Sequence, residues 1–186
     1  MSEPDFTGKK LGEFISFSGK IITARDRAHE FILNSTDEEL EKIGLNLNQG
    51  IIYHCGPIMK KLNEKYYPIA AGPTTSTRMN KFTPQLIERF KLKAIIGKGG
   101  MNRKVVNLMK ENGCVYLQAI GGAGALLAKS ITNIEKVLML KEFGMAEAIW
   151  VFKVKNFPAI IGIDNNRNSL YENILNKSKQ KLNDFL

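Results

Sequence analysis

The feature that most constrains the fold is a series of short apolar runs in the middle of the chain. Four of them end in glycine, and they read GIIYHCG, YYPIAAG, KAIIG and CVYLQAIG. Such runs are typical of buried strands, whereas the intervening segments TPQLIERF, MNRKVVNLMKENG and GAGALLAKSI carry helical patterns. Strands that alternate with helices indicate βαβ units, so we predict a parallel sheet in the centre of the protein.

The predicted helices have recognisable ends. Thr83-Pro84 should begin one of them, with threonine as the N-cap and proline in the first turn, and Gly113 should end the next. Residues 25–43 predict a helix in two pieces, and the second begins at a capping box in Ser35-Thr36-Asp37-Glu38. The tail from Ser169 onward is also predicted to be helical.

The two ends of the chain differ from its centre. Residues 11–24 alternate apolar and polar side chains around Ser18-Gly19-Lys20, which predicts two strands joined by a turn. Near the other end, AIWVFKVKNFPAIIGIDN predicts two strands broken at Asn156-Phe157-Pro158. Because there is no repeat and no low-complexity linker, we predict one mixed α/β domain over residues 1–186, with antiparallel hairpins beside a partly parallel sheet.

Composition narrows the class of protein. Of the 186 residues, 44% are apolar and 24% are charged, as in an ordinary globular protein. No apolar run is long enough to span a membrane, and the polar, acidic start MSEPD lacks the plan of a secretory signal, so we expect a cytoplasmic protein. The formal charge of +9 favours an anionic partner without identifying it.

The cysteines argue against a metal site within this chain. Cys55 and Cys114 lie far apart and neither belongs to a C-x-x-C pair, so neither a zinc site nor a local redox motif is indicated. Two cysteines are also too few to hold an iron–sulfur cluster by themselves. Both stand in apolar stretches, so we expect buried thiols.

The loop AIIGKGGMNRK, residues 94–104, allows three kinds of site. IIGKGG matches the G-x-x-G loop with which K-homology domains clamp RNA, and the positive net charge agrees with that alternative. Against it, Arg103 stands where those domains have a core aliphatic residue, and their loop joins two helices whereas KAIIG predicts a strand. The Walker and dinucleotide-binding patterns fail at this glycine spacing. In the third alternative, Lys98 binds a carboxylate.

Two other segments favour a carboxylate site. GPTTSTRM has four consecutive hydroxyl residues before its arginine, and TARDRAH places an arginine at the end of a predicted strand. Loops after the carboxyl ends of parallel strands gather at one edge of the sheet, where ligands bind. A small dicarboxylate needs paired cations there, because burying unpaired carboxylates is costly. The candidate cations are Arg25, Arg78 and Lys98.

Neighbouring residues have supporting roles in this hypothesis. Asp26 would orient Arg25 or cap the following helix. His29 lies one turn along that helix, where either a structural or a catalytic role is open. Gly99 would let a substrate approach the backbone and would offer its N–H group as a donor.

Several of these motifs, in the same order, resemble one family. The segments SGKIITARDRAH, GIIYHCGP, GPTTSTRM, IIGKGGM, VYLQAIGGAGALLAKSI and FGMAEAIWVFKVKNFPAIIGID are similar to the C-terminal domain of class I (iron–sulfur) fumarate hydratases. They look like the two-subunit form, in which this domain is a separate β chain. The L-tartrate dehydratase β subunit is a close relative within the family. The resemblance extends over nearly the whole chain.

The resemblance implies a fold, a partner and a reaction. It implies a swivelling β/β/α domain and an α subunit that carries a [4Fe-4S] cluster on three cysteines, in an α2β2 complex. This chain would bind no cofactor alone and would have no nucleic-acid or membrane partner. The implied enzyme is a hydro-lyase, active only with its α subunit. Fumarate hydratase, which interconverts fumarate and L-malate, is the first expectation, and L(+)-tartrate dehydratase is the alternative.

The resemblance also implies residue roles. Thr74 is the proposed proton acceptor, Lys98 shares the catalytic role, and an acidic residue of the α subunit is the partner acid. The substrate-binding residues are Arg25, Arg78, Lys98 and Gly99. A threonine hydroxyl is a poor base near neutral pH, so it needs nearby cations to stabilise its alkoxide.

One position departs from the family pattern. Aspartate commonly follows the Arg-Met pair in the family, and Asn80 stands there in this chain. If that aspartate only orients the arginine, asparagine can still accept a hydrogen bond. If it tunes substrate choice, fumarate is less certain as the substrate.

Overall fold

A mixed sheet of six strands forms the centre of the protein in a computed structural model that describes residues 4–184. A separate sheet of two strands packs beside it. In chain order the strands are β1 (Phe14–Thr23), β2 (Ile51–Tyr53), β3 (Ile58–Leu62), β4 (Lys65–Ala70), β5 (Ala94–Gly97), β6 (Val115–Gln118), β7 (Ile131–Leu138) and β8 (Ile149–Ile163).

The order of strands in the main sheet is β1-β2-β5-β6-β8-β7. The first four are parallel to one another, as the sequence predicts, whereas β8 is antiparallel to both β6 and β1. Because β8 pairs with both β6 and β1, strands β1, β2, β5, β6 and β8 close into a ring. The predicted mixed α/β fold with a partly parallel sheet and flanking helices is therefore confirmed.

Seven α-helices connect or flank the strands in residues 4–184. They are α1 (Asp26–Asn34), α2 (Asp37–Lys42), α3 (Thr83–Phe90), α4 (Arg103–Glu111), α5 (Gly124–Lys129), α6 (Leu140–Phe143) and α7 (Leu170–Asn183). A capping box begins α2, one residue later than the predicted Ser35–Glu38: Thr36 Oγ1 accepts from the Glu39 N–H, and the Glu39 carboxylate accepts from the Thr36 N–H. Ser169 caps α7 as the predicted start of the C-terminal helix.

The cap predicted for α3 is wrong. Phe82 is the N-cap residue, and Thr83 is already the first residue of the helix. The Thr83 hydroxyl points backward instead and donates to the Met79 carbonyl at 2.8 Å. A short 3₁₀ helix (Ser76–Met79) precedes α3. The Thr83 hydroxyl therefore hydrogen-bonds to the last residue of that 3₁₀ helix and does not cap the start of α3.

Both predicted breaks in the terminal strands are also wrong, because β1 and β8 are each continuous. They pair with each other in antiparallel fashion over most of their length. The register shifts between Phe17 and Gly19 on β1, opposite the segment from Val154 to Phe157 on β8. The turn-forming residues therefore produce a bulge that bends two long strands, and the long-range pairing overrides the local turn signal.

The segment YYPIAAG is a strand but not a buried one. It forms β4, which pairs only with β3 in the two-stranded sheet and alternates exposed with half-buried side chains. Neither β3 nor β7 was predicted. Both are rich in polar side chains, IMKKL and ITNIEKVL, and their strand conformation depends on a partner strand.

Alternate residues of the parallel strands enter two different cores. Ile52 and Ile95 pack with the buried faces of α1, α3 and α4. Tyr53 and Ile96 point the other way, into a core that contains Trp150 and residues of α5. This two-sided burial fixes the register of the parallel strands, and it holds their carboxyl ends at one edge. No helix in the described part of the chain is long and apolar enough to cross a membrane.

Candidate active site

The loop from residue 71 to residue 80 is hydrogen-bonded to the ends of two parallel strands. Thr74 donates its backbone N–H to the His54 carbonyl at 2.6 Å, just after β2. Lys98 donates its N–H to the Thr74 carbonyl at 3.3 Å, and Ser76 donates its N–H to the Lys98 carbonyl at 2.8 Å. The backbone therefore places Thr74 and Lys98 side by side at the edge of the sheet.

Arg78 is held by a carboxylate at the start of helix α1. It lies in the 3₁₀ helix, half exposed, and forms an ion pair with Asp26 in the first turn of α1. The expectation that Asp26 orients Arg25 is therefore not what the structure shows, because the carboxylate pairs with the other arginine. This ion pair brings the loop after β1 to the loop that contains Thr74.

Arg25 stands at the N-cap position of α1, directly after the end of β1. Its Nε lies 3.1 Å from Glu147 Oε1, and both side chains are largely buried. A Cβ atom at Gly56 would lie 2.7 Å from Arg25 Nη1, so only glycine leaves room for the guanidinium there. Cys55 pairs with Pro73 in an isolated bridge, which connects this position to the Thr74 loop.

Lys98 differs from the two arginines in its electrostatic surroundings. It is half buried, and within residues 4–184 no carboxylate lies within ion-pairing distance of its ammonium. The adjacent Gly99 is exposed and has a φ of +83°, a left-handed conformation that favours glycine. A cation without a partner next to an open backbone is suited to bind an anionic ligand.

Asn80 has a definite structural role. Its Oδ1 accepts the backbone N–H of Asn102 at 3.1 Å, so it joins the 3₁₀ helix to the loop that follows Lys98. Asn102 in turn caps α4 by accepting from the Val105 N–H. The acceptor is an oxygen that an aspartate would also provide.

The two histidines are both fully buried behind these loops. His29 Nδ1 lies 2.7 Å from the Arg25 carbonyl, and its ring stacks on Phe82 with centroids 5.4 Å apart. Burial lowers the pKa of His29 to about 4. The structure therefore gives His29 a structural position without access to a substrate.

Sequence reasoning missed His54 and Tyr116 as residues of this region, and it placed Ser76 only among the four hydroxyl residues that could receive a carboxylate. All three are fully buried, and their polar atoms meet beneath the site. Burial, and to a smaller extent the neighbouring His29, lowers the pKa of His54 well below its ordinary value. The only local signal was a polar residue within an otherwise apolar run, such as the histidine of GIIYHCG.

The described residues of this chain do not fit an iron–sulfur cluster as ligands. No group of three or more His, Cys, Asp or Glu side chains in residues 4–184 could hold a metal ion. Cys55 and Cys114 are buried, as expected, and burial raises the pKa of the Cys55 thiol to about 12. Burial also raises the pKa of Cys114.

The structure also bears on the RNA-clamp alternative. The KGG loop joins strand β5 to helix α4, whereas the corresponding loop of a K-homology domain joins two helices. Arg103, at the diagnostic position, forms an ion pair with Glu172 of α7 and does not enter the core. Both observations disfavour the RNA-binding alternative.

Exposed apolar side chains border the candidate site. The Ala71 N–H bonds to the Gly124 carbonyl, which joins the end of β4 to the start of α5. Next to the site, Gly121 lies against the aliphatic part of the Lys98 side chain. Four exposed apolar residues lie on or next to these elements, namely Ile58, Ile69, Ile120 and Leu126, and we call them the apolar rim.

Comparisons with known proteins identify the family of this chain. The family profile described as Fumarase C-terminus matches residues 2–174. A Methanocaldococcus jannaschii protein provisionally named L(+)-tartrate dehydratase subunit beta is 42% identical over 187 residues, covering 100% of this chain and 95% of that protein. The L(+)-tartrate dehydratase subunit beta of Escherichia coli is 35% identical over 173 residues, covering 89% of this chain and 81% of that protein.

A further relative has a longer chain. A Geobacillus stearothermophilus protein provisionally named fumarate hydratase class I is 39% identical over 186 residues, which is 100% of this chain and 35% of that protein. The resemblance seen in the sequence motifs is therefore confirmed, since both named activities are found among the relatives. This chain belongs to the Fumarase C-terminus family.

Proposed function

We propose that this chain is the β subunit of a hydro-lyase and that it supplies one wall of a site for a four-carbon dicarboxylate. The observation that carries the proposal is the backbone hydrogen bond from Lys98 to Thr74, which a second bond from Ser76 to Lys98 supports. Arg78 and Arg25 reach the same edge from neighbouring loops. The names of the relatives, hydratase and dehydratase subunits, support the same class of reaction.

In this proposal, the cations bind and activate the substrate. Lys98 is the primary carboxylate ligand, because it has no competing partner among the described residues. Arg78 and Arg25 contact the substrate with the guanidinium edges that Asp26 and Glu147 leave available. Gly99 allows the carboxylate to approach the backbone. These charges also stabilise the negative charge that develops on a carboxylate when the neighbouring carbon loses its proton.

Thr74 has the proposed role of proton acceptor. The proton leaves the carbon next to a carboxylate, its bonding electrons form the new double bond, and the hydroxyl group departs from the adjacent carbon with a proton from the partner acid. Lys98 has the proposed role of stabilising the threonine alkoxide with its ammonium, and the backbone hydrogen bond between the two residues supports this role.

The proposal includes a partner α subunit that carries a [4Fe-4S] cluster, in an α2β2 complex. Two of the relatives are named as beta subunits, and the fumarate hydratase relative contains much additional chain. Because the described residues provide no metal-ligand set, the cluster is assigned to the partner. We assign the apolar rim to the contact with that subunit, since it is exposed and continuous with the site.

We propose L-malate and fumarate as the first substrate pair, on the basis of the motifs. L(+)-tartrate is the second candidate, which is supported by the names of two relatives. The test is anaerobic co-expression with the candidate α subunit, followed by assays of fumarate formation from malate and of dehydration of tartrate. Thr74→Ala should lower kcat by at least about 100-fold, as for loss of a proton-transfer group.

The matched control is Thr132→Ala, which makes the same substitution at an exposed position on β7. It should keep wild-type activity. A wild-type complex that assembles but converts neither malate nor tartrate would refute the proposed function. Full activity in Thr74→Ala would refute the proposed role of Thr74 as proton acceptor, but it would not refute the proposed function as a whole.

A further inference from the structure

A chain of buried side-chain hydrogen bonds lies directly beneath the candidate site. The Tyr116 hydroxyl on β6 donates to Ser76 Oγ at 2.8 Å. Ser76 Oγ in turn lies 2.8 Å from His54 Nδ1, just after β2. Ser76 is the only member that belongs to a site loop, and all three side chains are buried. A buried hydroxyl group is normally hydrogen-bonded, because an unsatisfied buried polar group costs free energy.

The direction of the hydrogen bonds depends on the tautomer of His54. With its proton on Nε2, His54 accepts at Nδ1 from Ser76, and Ser76 Oγ accepts from Tyr116. With its proton on Nδ1, His54 donates to Ser76 Oγ, and Ser76 can donate to the Tyr116 oxygen. In both cases the two neighbours hold the Ser76 hydroxyl.

The tautomer of His29 follows from its neighbour. Its Nδ1 faces the Arg25 carbonyl at 2.7 Å, and a carbonyl can only accept, so the proton lies on Nδ1. The two imidazole rings are neighbours, with centroids 5.2 Å apart. They are in ring contact without a hydrogen bond between them, because the Nε2 atoms of both are buried without a partner among the described residues.

Gly97 shows how closely this group of atoms approaches the site. A Cβ atom at position 97 would lie 1.9 Å from Ser76 Oγ, 3.0 Å from the Tyr116 hydroxyl and 3.3 Å from His54 Nδ1. The hydrogen-bond chain thus packs against the backbone of the residue that immediately precedes Lys98. Any movement of Ser76 would be transmitted to the end of β5.

Ser76 is connected to both halves of the site. It lies two residues after Thr74 and two residues before Arg78, and its backbone N–H donates to the Lys98 carbonyl. We propose that Ser76 is a positioning residue, which Tyr116 and His54 hold so that Thr74, Arg78 and Lys98 keep their mutual geometry. The kinetic part of this proposal rests on the proposed function, whereas the structural part does not.

The structural part is tested by NMR, for which the presence of only two histidines is an advantage. The full chain, labelled with ¹⁵N and mixed with unlabelled α subunit where the complex is needed, should show His29 with its proton on Nδ1. In Ser76→Ala, the Nδ1 signal of His54 should shift while that of His29 stays, and the amide signals of Thr74 and Lys98 should move. An unchanged His54 Nδ1 signal, or unmoved Thr74 and Lys98 amides, would overturn the proposal.

The matched control is Ser35→Ala. Ser35 is also buried, and its hydroxyl donates to the Phe31 carbonyl at 2.8 Å, far from the site loops along α1. Both variants lose a similar hydrogen bond, but only Ser76→Ala should disturb the amide signals of Thr74 and Lys98.

The kinetic part compares the same variants in the assembled enzyme. Ser76→Ala should lower kcat by about 10- to 100-fold with a smaller change in KM, because small errors in the placement of catalytic groups greatly reduce the reaction rate. Tyr116→Phe should lower kcat less, and Ser35→Ala should leave it unchanged. Equal losses in Ser76→Ala and Ser35→Ala would indicate a general stability effect and refute positioning. If the wild-type complex is inactive on every substrate, the proposed function fails, and the NMR result still decides the role of Ser76.

Discussion

Gly97 and Gly100 control how closely other side chains approach the candidate site. Gly97 leaves room for the Ser76 hydroxyl, as described above. At Gly100, a Cβ atom would lie 2.4 Å from the ring of Tyr171, and the φ of +74° is a left-handed value that favours glycine. These two of the three glycines in the GKGG segment are thus required for different reasons, Gly97 by packing and Gly100 by packing and backbone conformation together.

Gly97→Ala should destabilise the protein by roughly 1–3 kcal/mol, the usual cost of overpacking a buried position. The buried Ser76 side chain cannot move aside without breaking its own hydrogen bonds. The free energy of unfolding in urea is the measurement. Gly121→Ala is the control, since its Cβ atom would make only an ordinary 3.6 Å contact with Lys98. Equal stability of the two variants would contradict the packing argument.

The buried His29 should make the protein less stable in acid. Its pKa is about 4 in the folded protein and near 6.5 in the unfolded chain, because burial disfavours the charged form. Between these pH values the unfolded chain binds more protons, so the free energy of unfolding falls as the pH falls through this window. The contribution of His29 is on the order of 3 kcal/mol at full effect.

Unfolding in urea at a series of pH values between 7 and 4 measures this dependence. His29→Gln removes the titrating group, so its stability should fall less steeply with acidification than that of the wild type. The acidic residues are common to both proteins, and their contribution cancels in the difference. Parallel curves for the two proteins would show that His29 is not the source.

Helix α7 is held to the fold mainly by its first turn. Tyr171 packs against Gly100 and Gly162 and makes an edge contact with Tyr116 at a centroid distance of 5.9 Å. The Tyr171 hydroxyl also hydrogen-bonds to Gln118 at the end of β6. From residue 173 to residue 184 the helix is exposed, as is usual for a lysine-rich segment.

Truncation after Asn176 should therefore change the free energy of unfolding by less than about 0.5 kcal/mol, the usual range for surface changes. Tyr171→Ala should cost roughly 1–3 kcal/mol, because it removes a large, partly buried ring. Chemical denaturation of the two variants beside the wild type distinguishes them. A truncation as costly as the Tyr171 substitution would mean that the distal half of α7 is packed in solution.

In the whole molecule, the candidate site lies at the edge of the sheet formed by the carboxyl ends of the parallel strands, beside the apolar rim. Isolated exposed apolar residues are common on proteins, but these lie next to the site on connected elements. The same edge carries three cations, two of which are already paired with carboxylates. A partner that covers the rim would also enclose the substrate and exclude water.

Leu126→Lys should weaken assembly with the α subunit at least about 10-fold in Kd, as expected for a charge placed in a buried apolar contact. Leu126 is 57% exposed, so the isolated chain should fold normally. Ile174→Lys is the control, because Ile174 is 63% exposed but lies on α7 away from the rim. Titration calorimetry with purified α subunit measures both. Equal affinities would place the interface elsewhere.

Features that depend on near neighbours in the chain could be predicted from the sequence. The glycine-bounded strands β2, β5 and β6, the helices between them and the Thr36 capping box follow from local periodicity and capping chemistry. The order of the motifs was sufficient to recognise the family. The candidate residues Arg25, Thr74, Arg78, Lys98 and Gly99 could be named because each belongs to such a motif, and their roles stay predictions.

Features that depend on distant segments were decided only by the tertiary structure. Pairing between β1 and β8 turned two predicted breaks into bulges, and β3 became a strand because it pairs with β4. The Asp26–Arg78 ion pair and the Tyr116–Ser76–His54 chain join residues that are far apart in sequence. Local periodicity records which side of an element is buried, but it does not record which other element lies against that side.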